Sequence, residues 1–268
     1  MKPKLFGSSG IRGLVNKEIT PTLAQRVGTA VATIHKGGTI VVGRDARISG
    51  PMIEGSLFSG LSSAGADTYS IGLVPTPITA WTVRNLGADA GIEVTASHNP
   101  PEYNGLKIFN QKGMSLTEKE QIEIENILEN DLYQLSPWDG VGTLEPLYPV
   151  DQYIEELILS IDLDIEGKIA CDLFNGATCT VAPPIMNEFS IRAEFINGIP
   201  DGTFPSGNPE PNRESLRRVG KFMKARDIEI GFGFDGDGDR MNPVDSSGNM
   251  VSPDRALASF AAYMVEKA

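Results

Sequence analysis

The chain is short of cysteine, of positive charge and of long apolar runs, and each shortage closes off a class of protein. Only two cysteines, Cys171 and Cys179, occur in 268 residues. That is too few for a disulfide framework at this length. No other Cys or His flanks them at zinc-ligand spacing, so they read as small core residues. Lys and Arg number 23 against 35 Asp and Glu, a formal net charge of -12. A nucleic-acid groove needs a basic face, so no nucleic-acid partner is expected. No stretch approaches the roughly 20 apolar residues of a membrane span. The start, Met1 to Gly7, lacks an apolar signal core. No membrane partner is expected, and the expected setting is cytoplasmic.

What is present is the composition of a globular protein, 40% hydrophobic and 22% charged, on a chain long enough for one large or two ordinary domains. Short apolar strands alternate with amphipathic helices. Leu23, Val27, Ala30, Val31 and Ile34 follow Pro21 at helical spacing, and Thr39–Gly43 reads as a buried strand. Ile53, Leu57, Leu61 and Ala64 mark a second helix. A strand over 67–72, a helix over 77–86 and strands over 90–95 and 106–110 precede an acidic helix over about 117–129. The Pro- and Gly-rich stretch Ser136–Pro149 is the expected boundary between domains. The rhythm then restarts. Helices are expected over 151–160, 181–189 and 213–225, and strands over 168–172, 191–196 and 229–234. A last amphipathic helix spans 253–265, and no internal repeat has a clear signature. This alternation predicts an α/β fold, with parallel or mixed sheets covered by helices.

Two segments point to chemistry. In Thr95-Ala96-Ser97-His98-Asn99-Pro100-Pro101 a strand ends and two prolines forbid a helix. Ser97 is therefore presented on a stiff loop beyond a strand end, where open α/β sheets bind ligands. Taken alone, the segment reads more readily as a polar turn in which Ser97 and Asn99 bond the local backbone. A hydrolase triad is disfavoured: Ser97 and His98 are adjacent and should point apart, His35 falls in a helix, and the glycines of a nucleophile elbow are missing.

The second segment is Asp235-Gly236-Asp237-Gly238-Asp239-Arg240. Alternate side chains of an extended loop share a face, so three carboxylates are expected to converge. Such a cluster repels itself unless a cation is present, and an all-oxygen donor set favours Mg²⁺ or Ca²⁺. An EF-hand is excluded, because its sixth and twelfth positions would be Arg240 and Ser246. With only three protein ligands, Mg²⁺ is the better match, and a plain solvated acidic turn is the alternative.

Phe6-Gly7-Ser8-Ser9-Gly10-Ile11-Arg12-Gly13 offers backbone amides and a guanidinium to an anion, yet by itself reads as a flexible turn. In Gly43-Arg44-Asp45-Ala46-Arg47 the arginines are candidate cations, with an Arg44–Asp45 ion pair as the structural alternative. Lys107, on the strand after the serine loop, is a further candidate.

Together, FGSSGIRG, GRDAR, TASHNPPEYNGLKIF (Thr95–Phe109), FPSGNPEP (Phe204–Pro211) and DGDGDR resemble the α-D-phosphohexomutase family, whose members include phosphoglucomutase, phosphomannomutase and phosphoglucosamine mutase. The resemblance implies two tandem α/β/α sandwich domains with mixed sheets, over 1–147 and 148–250. Residues 251–268 would start a third domain that is cut short, with the third and fourth domains and their sugar- and phosphate-binding loops missing. It implies that Ser97 is a phosphoserine and that Ser97, Asp235, Asp237 and Asp239 hold Mg²⁺. Arg12, Lys107 and Arg240 would be the cations around the phosphoryl group, Lys107 the proton carrier, and His98 and Asn99 contacts to phosphoryl or sugar. The implied substrate is a hexose 1- or 6-phosphate of glucosamine, mannose or glucose. The chemistry is interconversion through a phosphoserine and a bisphosphate. A fragment that binds metal and phosphate without turnover is the alternative, and a phosphatase working through a phosphoserine a further one. Two departures stand out: Gly238 replaces the family's usual Ala, and Asn242-Pro243 would weaken the apolar strand that family members usually have after the position of Arg240.

Overall fold

The computed structural model describes residues 3–7, 9–163 and 165–267; Ser8 of the glycine-rich segment, the ends of the expected first and third domains, and Asp164 lie outside the described residues. The first unit holds a six-stranded sheet made of β1 (Ile11–Leu14), β2 (Thr39–Arg44), β3 (Asp67–Leu73), β4 (Ala90–Val94), β5 (Tyr103–Asn110) and β6 (Leu144–Pro146). The strand order is β1-β5-β4-β2-β3-β6. β2 runs parallel to β3 and β4, and β3 parallel to β6, while β5 is antiparallel to β4 and β1. Helices α1 (Pro21–Ile34), α2 (Gly50–Ser63), α3 (Thr76–Leu86) and α4 (Glu118–Asn130) cover it.

The two-residue period of a strand explains the layering. Ile40 and Val42 face one way, into the core under α1, α2 and α4, whereas Val41 faces the other way, toward Ile78 and Val83 of α3. The helix starts follow from local chemistry. The Thr20 hydroxyl accepts a bond from Leu23 N with Pro21 in the first turn of α1, and Thr117 and Glu120 form a reciprocal capping box at α4.

The second unit has a four-stranded sheet, β10-β9-β7-β8, from β7 (Lys168–Asp172), β8 (Arg192–Ile196), β9 (Ile230–Phe234) and β10 (Met241–Val244). β7 is parallel to both neighbours and β10 is antiparallel to β9. α7 (Arg217–Arg226) packs Val219 and Met223 on one face. α6 (Ala182–Glu188) covers Cys171 and Cys179 on the other. The chain is thus α/β, with two tandem helix-covered mixed sheets as expected. α5 (Val150–Ser160) lies against both α3 and α6, with Tyr153 edge-on to Trp81 at 5.4 Å between ring centroids. α8 (Pro253–Lys267) touches β10 and leaves Leu257, Phe260 and Val265 exposed. Among the described residues no helix is long and apolar enough to cross a membrane.

Three strands depart from the sequence reading. The latter half of the glycine-rich segment is not a loose turn but β1, an edge strand paired with β5. β6 sits inside the expected linker and extends the first sheet. β10 forms despite Pro243, because that residue's backbone polar groups face away from β9: its carbonyl accepts from Val251 N at 2.9 Å instead. A proline at such an edge position removes no ladder bond. α7 begins at Arg217 rather than Arg213, since the Asn212 side chain accepts from Glu214 N and Ser215 N and holds that stretch as a turn.

Candidate active site

The ends of β4 and β9 meet at the seam between the two units, and the residues singled out in the sequence gather there. Ser97 is wholly buried with φ 53, in the left-handed region. Its Oγ donates to Asp235 Oδ2 at 2.6 Å. The Ser97 and His98 side chains do not diverge as adjacent residues usually do: Ser97 Oγ is 3.5 Å from His98 Nδ1. Arg240 Nη1 lies 3.1 Å from the same nitrogen, and Arg12 Nη1 donates to Asn99 Oδ1 at 3.3 Å. Burial, reinforced by Arg240 and Arg12, lowers the His98 pKa, so its ring is neutral. Nε and Nη2 of Arg12 are buried without a hydrogen-bond partner, and a cleft of about 360 Å³ lined in part by Arg12, His98 and Arg240 opens beside them.

The aspartates converge through a tight turn, not through an extended loop: Gly238 N donates to Asp235 O, and Asp235 N to Arg240 O. Gly238 has φ 71, and a Cβ there would fall 2.5 Å from Thr178 Cγ2, so glycine suits the site on both grounds. Carboxylate oxygens of Asp235, Asp237 and Asp239 lie within 4.8 Å of one another. Lys107 Nζ bonds Asp237 Oδ2 and Asp239 Oδ2, each at 2.5 Å. Burial works against charge on both Lys107 and Asp237, but their mutual attraction wins, raising the lysine pKa and lowering that of Asp237. Asp235 has no such partner; burial and its two acidic neighbours push it up to about 8.

These residues fit a divalent cation. The donor set is all oxygen, Asp237 Oδ1 is buried without a partner, and the Asp235 charge is unfavourable as the site stands. Asp237 is also held from the other unit. Thr76 at the start of α3 donates its backbone N–H to Asp237 O at 2.9 Å and its hydroxyl to Asp237 Oδ2 at 2.6 Å.

Two functional positions escaped the sequence reading. Thr76 carried no signal, because its partner is 161 residues away. Glu93 is fully buried on β4, directly across from Lys107 on β5 and on the same face of the sheet. Its Oε2 accepts from Thr79 Oγ1 at 2.5 Å, and Oε1 has no partner. Burial raises its pKa well above the ordinary 4.5, so Glu93 keeps its proton to higher pH than an exposed glutamate does. A lone glutamate inside an apolar strand was the available clue. In GRDAR the roles differ from the expected ones. Arg44 pairs with Glu54 at 3.1 Å, and Asp45 pairs with the buried Arg47 at 3.0 Å.

The seam between the two α/β units thus presents a buried serine hydroxyl to a carboxylate cluster, with Arg12, Lys107 and Arg240 gathered beside it. Residues 3–134 match the phosphoglucomutase/phosphomannomutase alpha/beta/alpha domain I, and residues 151–248 match domain II. The chain belongs to that family. It is 40% identical over 264 residues to a protein of Pyrococcus abyssi named as a phosphoglucosamine mutase, covering 98% of this chain and 58% of the relative. A Methanosarcina acetivorans protein of the same name is 42% identical over 260 residues, covering 97% and 59%. Among solved structures, a phosphoglucomutase/phosphomannomutase family protein from Burkholderia thailandensis superposes with a TM-score of 0.89 at 32% identity, over 98% of this chain and 59% of that one. The chain thus spans a little under three fifths of the length of these relatives.

Proposed function

We propose that Ser97 exchanges a phosphoryl group with a hexose phosphate, in a cycle that interconverts 1- and 6-phosphates through a phosphoserine and a sugar bisphosphate. The observation that carries this reading is the 2.6 Å bond from Ser97 Oγ to Asp235 Oδ2 within the three-aspartate cluster. In the forward transfer the sugar hydroxyl oxygen attacks phosphorus and the bond from phosphorus to Ser97 Oγ breaks. The hydroxyl proton ends on Ser97 Oγ, restoring the serine. Arg12 and Arg240 bind the phosphoryl oxygens, Arg12 through the donors that lack a protein partner. Lys107 holds a proton beside the reacting oxygens, and neutral His98 orients the loop against Arg240. Asp235, Asp237 and Asp239, with an oxygen at Ser97, would hold Mg²⁺, which when bound neutralises charge on the transferred group.

The names of the relatives at 39–42% identity favour a glucosamine phosphate among the hexoses. The test is mass spectrometry of the chain after incubation with Mg²⁺ and a hexose 1,6-bisphosphate. An 80 Da gain on Ser97, lost in Ser97→Ala and on chelation of Mg²⁺, is expected; its absence in the wild type sinks the reading. The share of the relatives that this chain spans favours a second reading, binding of metal and phosphate without turnover. Sustained conversion of glucosamine 1-phosphate to 6-phosphate by this chain would exclude it. We further read 1–147 and 148–250 as the two domains. The exposed Leu257, Phe260 and Val265 of α8 support treating 251–268 as the start of a third; the setting we propose is cytoplasmic.

A further inference from the structure

We propose that Arg47 is the positioning residue of the serine loop. With Asp45 and Thr95 it grips both backbone ends of Ser97 and fixes the left-handed turn that points Oγ at the carboxylates. The role assigned to Oγ rests on the phosphoryl-transfer reading above; the grip itself does not.

Arg47 has no exposed surface, and the whole of its guanidinium is committed. A guanidinium has five N–H donors, and here there are five acceptors. Nε donates to Asp45 Oδ2 at 3.0 Å. Nη1 donates to the carbonyls of Pro100 and Tyr103 at 2.6 and 2.9 Å, and Nη2 to those of Ser97 and Asn99 at 2.8 and 2.7 Å. The loop from 97 to 103 is therefore wrapped around a single buried cation. The Pro100 carbonyl also accepts from Tyr103 N at 3.1 Å, but those of Ser97, Asn99 and Tyr103 have neither helix nor sheet to satisfy them, and an unpaired carbonyl away from water is unfavourable.

The other end of Ser97 is tied to the same cation. Ser97 N donates to Thr95 Oγ1 at 2.8 Å, Thr95 Oγ1 donates to Asp45 Oδ2 at 2.7 Å, and Asp45 Oδ1 accepts from Arg47 N at 2.9 Å. Ser97 N–H and Ser97 C=O are thus both fixed relative to Arg47. A serine needs such restraint, since a β-carbon makes a φ of 53 unfavourable without it. Lysine cannot substitute: its three donors on a point charge do not span four carbonyls in a plane.

The second unit closes over this arrangement. Arg47 forms a backbone bridge with Gly202, and the Phe204 ring lies 5.2 Å from the guanidinium carbon. A Cβ on Gly236 would fall 2.7 Å from Ser97 O, so the metal loop also rests on the serine backbone. Arg47 therefore holds the serine loop in the shape onto which the aspartate loop docks.

The test uses the full 268-residue chain and two readouts: exchange of the Ser97 amide by NMR, and phosphorylation of Ser97 by a hexose 1,6-bisphosphate with Mg²⁺. In Arg47→Lys, Ser97 exchange should rise about tenfold or more while amides of β2 stay protected. The phosphorylation rate should fall about 100-fold at an unchanged half-saturating bisphosphate concentration, because the phosphate contacts are intact. In Arg47→Ala, added guanidinium should recover part of the rate and methylammonium none. Should the Arg47 variants fail to fold, Thr95→Val removes only the link from Asp45 to Ser97 N–H and should raise Ser97 exchange in the same way. Wild-type exchange at Ser97 in folded Arg47→Lys, or in Thr95→Val where the Arg47 variants do not fold, overturns the proposal. If the wild type itself takes no phosphoryl group, the transfer reading fails, and exchange alone decides the role of Arg47.

Discussion

Replacing Glu93 with glutamine should leave the chain unchanged in stability below pH 4.5 and make it progressively more stable, relative to wild type, as pH rises. Glu93 has no exposed surface, and one oxygen has no partner while the other accepts from Thr79. There is no slack for rearrangement: a Cβ on Gly43 would lie only 2.6 Å from Glu93 Oε2. Burial is the main cause of the raised pKa. The Thr79 bond opposes it, Asp237 and Asp45 add to it, and Lys107 offsets part of it. The folded state then binds a proton that the unfolded state releases above its ordinary 4.5. The contribution of Glu93 is therefore complete below pH 4.5 and is lost as pH rises toward the folded-state value. Each pH unit within that window removes about 1.4 kcal/mol. The gap between Glu93→Gln and wild type should widen by the same amount for each pH unit above 4.5 until that value is reached. Both tryptophans, Trp81 and Trp138, lie within the residues matched to domain I or just beyond them, so their fluorescence during urea unfolding reports this unit. With a slope of about 2 kcal/mol per molar urea, the midpoint gap should widen by about 0.7 M per pH unit. Asp235 titrates in both proteins, so its contribution cancels. A gap that stays constant from pH 5 to pH 7 would refute a protonated Glu93.

Gly202→Ala should loosen the docking of the two units by about 1–3 kcal/mol, since its Cβ would fall 2.3 Å from Ala46 O and 2.4 Å from Ile48 N. Faster tryptic cleavage in the 198–213 stretch would reveal the loosening, and wild-type resistance would contradict it. Burial pushes both cysteines up to about 12, leaving a thiolate fraction of about 10⁻⁴ at pH 8. Iodoacetamide should therefore leave the native mass unchanged, while the urea-unfolded chain gains two adducts; rapid labelling of the native chain would count against these buried positions. Thr117→Ala removes one half of the capping box at α4 and should cost about 1 kcal/mol by urea unfolding. No change in midpoint would mean that this cap contributes nothing.

What could be read from the sequence was what repeats along a segment. α1 and α2 announced themselves through apolar residues at helical spacing. β2 did so through an unbroken apolar run, and the metal loop through three aspartates in five positions. What could not be read was whatever depends on pairing between distant segments. β1 and β6 are four and three residues long and exist because β5 and β3 offer them an edge. Whether Arg44 or Arg47 turns inward depends on where Glu54 and the serine loop lie, and nothing in GRDAR itself decides it. Pro243 argued against a strand, because the sequence does not reveal which side of β10 faces its neighbour. Glu93 was legible in principle, as the one charge in Ala90–Val94.

The 2.6 Å contact between Ser97 and Asp235 joins residues 138 positions apart, one from each unit. Any ligand that engages both sides of that seam is thermodynamically linked to the docking of the two units. At 100 times its dissociation constant it favours the docked state by about 2.7 kcal/mol. The linkage is reciprocal: a perturbation that pries the units apart weakens that ligand by the same factor, even from a position that never touches it.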